Sequence, residues 1–455
     1  MAGDGQQRGG WAALWLAAVV AAIYLPDLGQ GFIKDDFAWI RGSRLASAAD
    51  LVRLVTEPAS GFFRPVVGLS FGLNERLFGL HAFGYGATNL LLLAACAAGV
   101  WRLAAALGLP PIGRIVAAAV WSLNFHGINL ALLWISGRTA LLLCAAATWA
   151  ADALVRGRPL AAGVLALVAM LSKEEAVLLP VVFAAWVAIR HDGSLPMRIR
   201  GAVRAVWPTG VALGVYGVLR VRTPAMTFAN APSFYQARVD AGTFAENVLE
   251  YADRSATLAA LVTLAALCVA WRRPPLDAAA RRTLALAAVW IAGLFAITVW
   301  LPVRSSLYAV TPAVGAALAA ATIASASWET MPASRRRATA IAALLLPVIC
   351  WPVYHARNQR LANEARLSAA AMATLTALRG AQPPVDAIVL VDDRAARPSL
   401  YHAFGSLAPD AAALALERPI PVSLDNTPDD LSRPVPEGPG TRRFRLSEGR
   451  LLALH

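Results

Sequence analysis

Charge is what this 455-residue chain has least of: Asp, Glu, Lys and Arg together make up 15% of it. Soluble domains carry about 25%, and a chain this long folded in water would need more polar surface than these residues supply. Lysine is almost missing, with Lys34 and Lys173 set against thirty-nine arginines. Cysteine is scarce too. Cys96, Cys144, Cys268 and Cys350 stand far apart inside apolar runs without CxxC spacing, which argues against a disulfide framework or a zinc site and for small buried hydrophobes. No HxxxH or HExxH pair offers ligands for a catalytic metal. The net charge is +13, but the basic residues are scattered through short loops and form no stripe, so nucleic acid is a poor partner.

What fills the chain is apolar: 58% of the residues are hydrophobic and the mean hydropathy is +0.55. Apolar runs at 11–25, 86–107, 112–130, 139–154, 160–171, 176–189, 203–221, 257–271, 284–301, 309–326 and 339–354 predict about eleven membrane spans. With the N-terminus in the cytoplasm, the inside loops collect Arg198, Arg200, Arg204, Arg335, Arg336 and Arg337, as the positive-inside rule requires. The segment 62–80 would reverse every later loop if it crossed, so it reads as interfacial or re-entrant. The stretch 37–55 repeats Phe37, Ile40, Leu45, Ala48, Leu51 and Val55 at helical spacing and predicts a helix lying among headgroups. Beyond residue 355 the composition turns richer in Pro, Asp and Arg. Residues 358–378 and 398–416 read as helices, 387–391 as a buried strand, and 419–439 as mostly irregular. The expected organisation is a membrane domain over 1–355 and a small extracytoplasmic α/β domain over 356–455.

Both surviving lysines stand directly before paired acids, in IKDDF and SKEEA. Two adjacent carboxylates, Asp35 and Asp36, at a membrane surface are costly unless solvated, paired or functional. One could take a proton from an acceptor hydroxyl while the other orients it; a solvated helix-end cluster is the bland alternative. Arg64, His126 with Asn129, the run Trp134 to Arg138, Lys173 with Glu174, and Arg304 with Tyr308 fall at helix ends on the same expected side. An arginine fork suits a phosphate because it donates two parallel charge-assisted bonds. Taken singly, each arginine reads as a snorkelling interface anchor, and His126 as a satisfied interfacial histidine.

The order GFIKDDFAWI, FFRPVVGLSF, HGINLALLWISGRTALL, LSKEEAVLLP and RSSLYAVTP resembles the GT-C membrane glycosyltransferases, closest to bacterial relatives of the tetratricopeptide-containing transmembrane O-mannosyltransferases. The resemblance covers about residues 11–320. It departs at His126-Gly127, where the family often has His-Pro, at Leu130-Ala131-Leu132, where it often has a Glu, and in the tail, which has no helical repeat.

The odd number of spans, not the resemblance, places the C-terminal domain outside. The resemblance implies an all-α polytopic protein of GT-C type in a bacterial inner membrane. It implies inverting transfer from a polyprenyl-phosphate-linked sugar to a protein or glycan acceptor. Asp35 then matches the acid that deprotonates the acceptor, with Asp36 beside it. Arg304 and Tyr308 match a loop near the lipid phosphate, and Arg64, Arg138 and Lys173 match further motif positions. Glu174, His126 and Asn129 are candidates for lining the site. No cofactor is required, though Mg²⁺ or Mn²⁺ between carboxylate and phosphate would suit an oxygen-rich site. A lipid-sugar flippase or transporter would place ionisable groups at mid-membrane and show internal repeats, which this chain does not. An inactive scaffold of the same fold is the third reading.

Overall fold

The structure, a computed structural model, describes residues 2–58, 61–227, 229–270, 274–392, 397–425, 438, 440–447 and 449–454. Helix α1 (Ala2–Tyr24) leads through a loop to α2 (Asp35–Gly42), α3 (Ala48–Thr56) and α4 (Pro65–Phe78). The bundle continues with α5 (Ala82–Ala106), α6 (Pro111–Ser122), α7 (Ile128–Leu133), α8 (Arg138–Val155), α9 (Pro159–Met170), α10 (Leu179–Arg190) and α11 (Leu195–Val221). It closes with α12 (Ala241–Ala270), α13 (Ala278–Phe295), α14 (Ala313–Thr330), α15 (Ala333–Ile349) and α16 (Trp351–Thr376).

All eleven apolar runs fall largely on helix, and seven lie on helices long and apolar enough to cross a membrane. The others lie on α6, α9, α10 and α14. Three of these, α6, α9 and α10, have twelve residues each, a rise of about 18 Å against about 30 Å of hydrocarbon. Neighbouring helices bury one face of each. Helix α8 is the most enclosed, packing on α5 and α9 through Ala147, Ala150, Ala151, Ala162 and Ala166. Small residues let these backbones approach closely where lipid offers no hydrophobic gain. Buried indoles find carbonyls across the bundle: Trp121 Nε1 donates to Val310 O at 2.9 Å and Trp290 Nε1 to Thr311 O at 2.8 Å. Both bonds hold the loop between α13 and α14, which carries Arg304 and Tyr308.

The expected headgroup helix over 37–55 breaks in two. Ser47 and Asp50 form a capping box that starts α3 afresh, while Phe37 and Ile40 turn into a protein core. The segment 62–80 forms α4, opened by Pro65 in its first turn.

The tail forms β1 (Ala387–Val391), α17 (Leu400–Phe404), α18 (Ala408–Leu416), β2 (Val422–Asp425), β3 (Thr441–Ser447) and β4 (Arg450–Leu454). The sheet order is β2-β1-β3-β4, with β1 parallel to both neighbours and β4 antiparallel to β3. The strand over 387–391 is found as read. The helix read over 398–416 is interrupted at 405–407 by a tighter turn, and β2 lies inside the stretch read as irregular, whose residues 426–437 and 439 are outside the described ones.

A second core joins this tail to the acid-pair region. Phe37 and Ile40 of α2, Val67 and Phe71 of α4, and Leu367, Ala371 and Leu375 of α16 pack with Ile388, Leu400 and Phe404. Helix α16 crosses residue 355 and belongs to both parts.

Candidate active site

The acid pair sits at the first turn of α2, where the helix dipole favours negative charge. The two carboxylates have opposite surroundings. Asp36 is completely buried; its Oδ2 accepts from Ile33 N at 2.9 Å, and its Oδ1 from Ser136 N at 2.7 Å and Ser136 Oγ at 2.5 Å. Burial pushes its carboxyl up to about 7, with these hydrogen bonds pulling the other way. Asp36 therefore ties the loop before α2 to the Trp-Ile-Ser-Gly-Arg turn. That turn is tight: a Cβ on Gly137 would meet the Ala131 Cα at 2.6 Å, so only glycine fits. Asp35 is half-buried, and its carboxylate takes no hydrogen bond or ion pair from the described residues. Burial raises its pKa, while the nearby Arg64 and Lys34 charges pull it down.

Asp35 feels the charges of Arg64 and Lys34, and Tyr235 feels Asp35. Arg64 stacks on Phe62 at 4.1 Å and grips Glu174 from two sides, Nε at 3.1 Å to both oxygens and Nη2 at 2.7 Å to Oε2. Its Nη1 has no partner among the described residues. Burial alone would raise the Glu174 carboxyl, but the Arg64 charge and its hydrogen bonds hold it below the usual range. Lys173 is buried, 2.7 Å from Glu175 Oε1 and 4.3 Å from the Tyr308 ring centre. Burial lowers its pKa against the pull of Glu175. Tyr235, from the loop between α11 and α12, packs edge-on to Phe62 and feels Arg64 and Asp35. Five residues expected from sequence thus come together: Asp35, Arg64, Lys173, Glu174 and Tyr308.

The remaining expected residues lie elsewhere. Arg138 is fully buried and donates to Asn89 Oδ1 at 3.0 Å, Asn74 Oδ1 at 2.8 Å, Ser70 O at 3.2 Å and Tyr85 O at 3.1 Å. With all three nitrogens engaged, it locks α8 to α4 and α5. Arg304 pairs with Glu246 and donates from Nε to Asn247 Oδ1 at 2.8 Å. Asn247 in turn donates to Val299 O and Leu301 O, so Arg304 clamps the Tyr308 loop to α12. His126 lies 3.7 Å from Asp253, in a separate cluster with Arg254 and Arg357. Asn129 is buried on α7 with its Oδ1 unpartnered among the described residues.

Sequence reasoning gave Glu175 no role and missed Tyr235. Glu175 was in view as the second acid of SKEEA, whereas a lone tyrosine in a polar loop carries no spacing signal. Among the described residues no three His, Cys, Asp or Glu side chains gather as a metal-holding group.

This arrangement of a helical bundle, an acid pair on a short helix after the first long one, and a small α/β tail has the fold of solved membrane-bundle structures. The chain is similar to two crystal structures of ArnT from Cupriavidus metallidurans, one in the apo state and one bound to undecaprenyl phosphate. Each gives a TM-score of 0.54 at 14% identity and covers 96% of this chain and 92% of that chain. No family model and no curated protein matches the chain.

Proposed function

We propose that the protein is an integral membrane glycosyltransferase that moves a sugar from a polyprenyl-phosphate donor to an acceptor hydroxyl, with inversion, at the extracytoplasmic face. One observation carries the reading. Of the two adjacent acids, Asp36 has its carboxylate fully engaged and Asp35 takes no hydrogen bond or ion pair from the described residues while standing within the field of Arg64. In this reading Asp35 removes the acceptor hydroxyl proton as the acceptor oxygen bonds to the anomeric carbon. The bond from that carbon to the phosphate oxygen breaks, and the leaving polyprenyl phosphate carries away the electron pair. Arg64, through its open Nη1, and Lys173 would stabilise the developing phosphate charge, a form of electrostatic catalysis effective where water is scarce. Arg304 would act indirectly, by holding the loop that carries Tyr308, and Arg138 by holding the Ser136 turn that engages Asp36. The ArnT structure with undecaprenyl phosphate supports a lipid-linked donor by likeness of fold; sugar and acceptor follow from experiment.

The reading is tested by profiling glycans and lipid-linked sugars in a deletion strain. The expected result is unused polyprenyl-phosphate sugar accumulating together with the loss of one glycan. Unchanged profiles of both would remove the transferase reading and favour the flippase or inactive-scaffold alternative.

The face on which this chemistry occurs has its own check. Cysteine at exposed position 240 should react with an impermeant reagent in intact cells, and cysteine at exposed positions 200 and 337 only after permeabilisation. Labelling of 200 in intact cells would reverse the orientation.

A further inference from the structure

We infer that Glu364, on the helix leading out of the bundle, is a positioning residue for Asp35, so that the tail is a working part of the active site. This rests on the assignment of Asp35 above and extends it to residues far away in sequence. Lys34, immediately before Asp35, has φ 52° and ψ −122°, a region that side chains avoid and that persists only when the surroundings over-determine it. Two contacts from the tail do so. Its N–H donates to Ala403 O of α17 at 2.8 Å, and its Nζ meets Glu364 Oε2 at 2.9 Å. The Glu364 side chain is only 3% exposed, which makes it an anchored partner unlike a surface acid. Arg360, one turn earlier on α16, lies 3.6 Å from the other Glu364 oxygen and keeps the carboxylate oriented.

The same loop is pressed against α16 nearby. A Cβ on Gly31 would meet Ala365 O at 2.3 Å, so the chain touches the helix backbone one residue from Glu364. On the opposite side, Trp134 Nε1 donates to Ile33 O at 3.3 Å, and Asp36 holds Ser136. Asp36 therefore fixes one flank of the turn and Glu364 the other. Asp35 lies between them, with no bond of its own to set its direction. Its aim is inherited from Lys34.

Placement errors of about 1 Å can cost roughly 10²-fold in rate. Glu364→Gln and Lys34→Met are each expected to lower kcat between ten- and a hundred-fold, with donor KM within two-fold of the wild type. The double variant should be no worse than either single one, because one contact is lost in all three. Hydrogen exchange at residues 33–37 should quicken in both single variants, a readout independent of activity. Lys34→Gly guards against misfolding, since glycine accepts this φ readily; it should stay folded and lose turnover like Lys34→Met. Wild-type turnover in Lys34→Gly, multiplying losses in the double variant, or unchanged exchange at 33–37 would each overturn the assignment. Were the wild type to show no transfer at all, the exchange result would still decide the Glu364 contact separately from the transferase reading.

Discussion

Replacing Asp35 by Asn is expected to lower sugar transfer by about 10²–10⁴-fold, the usual cost of losing a general base, with insertion, thermal stability and donor binding unchanged. The stability half of this expectation follows from the half-buried carboxylate, which makes no hydrogen bond that Asn would break. Asp36→Asn should behave differently. An amide there can still accept from Ser136, but its NH₂ would face the Ile33 N–H that Asp36 Oδ2 now accepts. Two opposed buried donors cost about 1–3 kcal/mol, so the variant should unfold at lower temperature and, with one flank of the Asp35 turn loosened, lose transfer but less of it than Asp35→Asn. The pH profile separates the roles further. Because burial raises the Asp35 pKa above that of a free carboxylate, about 3.9, the protonated and inactive form persists to higher pH. The acid limb of kcat/KM should therefore have its midpoint above that value, falling as pH drops, and should vanish in Asp35→Asn. Full transfer by Asp35→Asn would end the assignment; a larger intrinsic loss in correctly folded Asp36→Asn would move the base to position 36.

Much of this arrangement is legible in sequence, and the reasons for the rest are physical. Helices are written in apolar runs tens of residues long, so every run fell largely on helix. The acid pair was readable because two carboxylates beside a membrane segment need an explanation. What sequence does not carry is which donors a side chain meets. Arg138 and Arg64 sit in equally suggestive motifs, yet Arg138 is enclosed by Asn74, Asn89 and two carbonyls whereas Arg64 keeps Nη1 open. The Lys34–Glu364 pair spans 330 positions, beyond any local pattern. Strand β3 was written in the alternation of Arg443, Phe444, Arg445 and Leu446, whose apolar members are buried. It was masked by the Pro-rich segment before it. The 37–55 stretch misled for another reason: its apolar stripe is real, but half of it faces the tail, whose presence the stripe cannot announce.

Arg64 offers the sharpest division between binding and scaffolding. Its planar fork spans Glu174 on one edge and leaves Nη1 on the other; Lys, a point charge, can hold Glu174 or a phosphate but not both in this geometry. A charge-assisted hydrogen bond contributes about 1.5–3 kcal/mol, which corresponds to about 10–150-fold in affinity at 1.4 kcal/mol per tenfold. Arg64→Lys should thus raise the donor Kd within that range while the protein stays folded. Arg64→Ala should do at least as much and also strand Glu174. The Glu174 side chain is 35% exposed, so water can take up its charge and the stability loss should be modest. Removing both partners, Arg64→Ala with Glu174→Ala, should restore stability and leave donor binding as weak as in Arg64→Ala alone. A purely structural ion pair makes the opposite forecast, with the double variant recovering donor affinity along with stability. That recovery, measured with a labelled polyprenyl phosphate, would assign Arg64 to the scaffold and leave Lys173 as the remaining cation beside Tyr308.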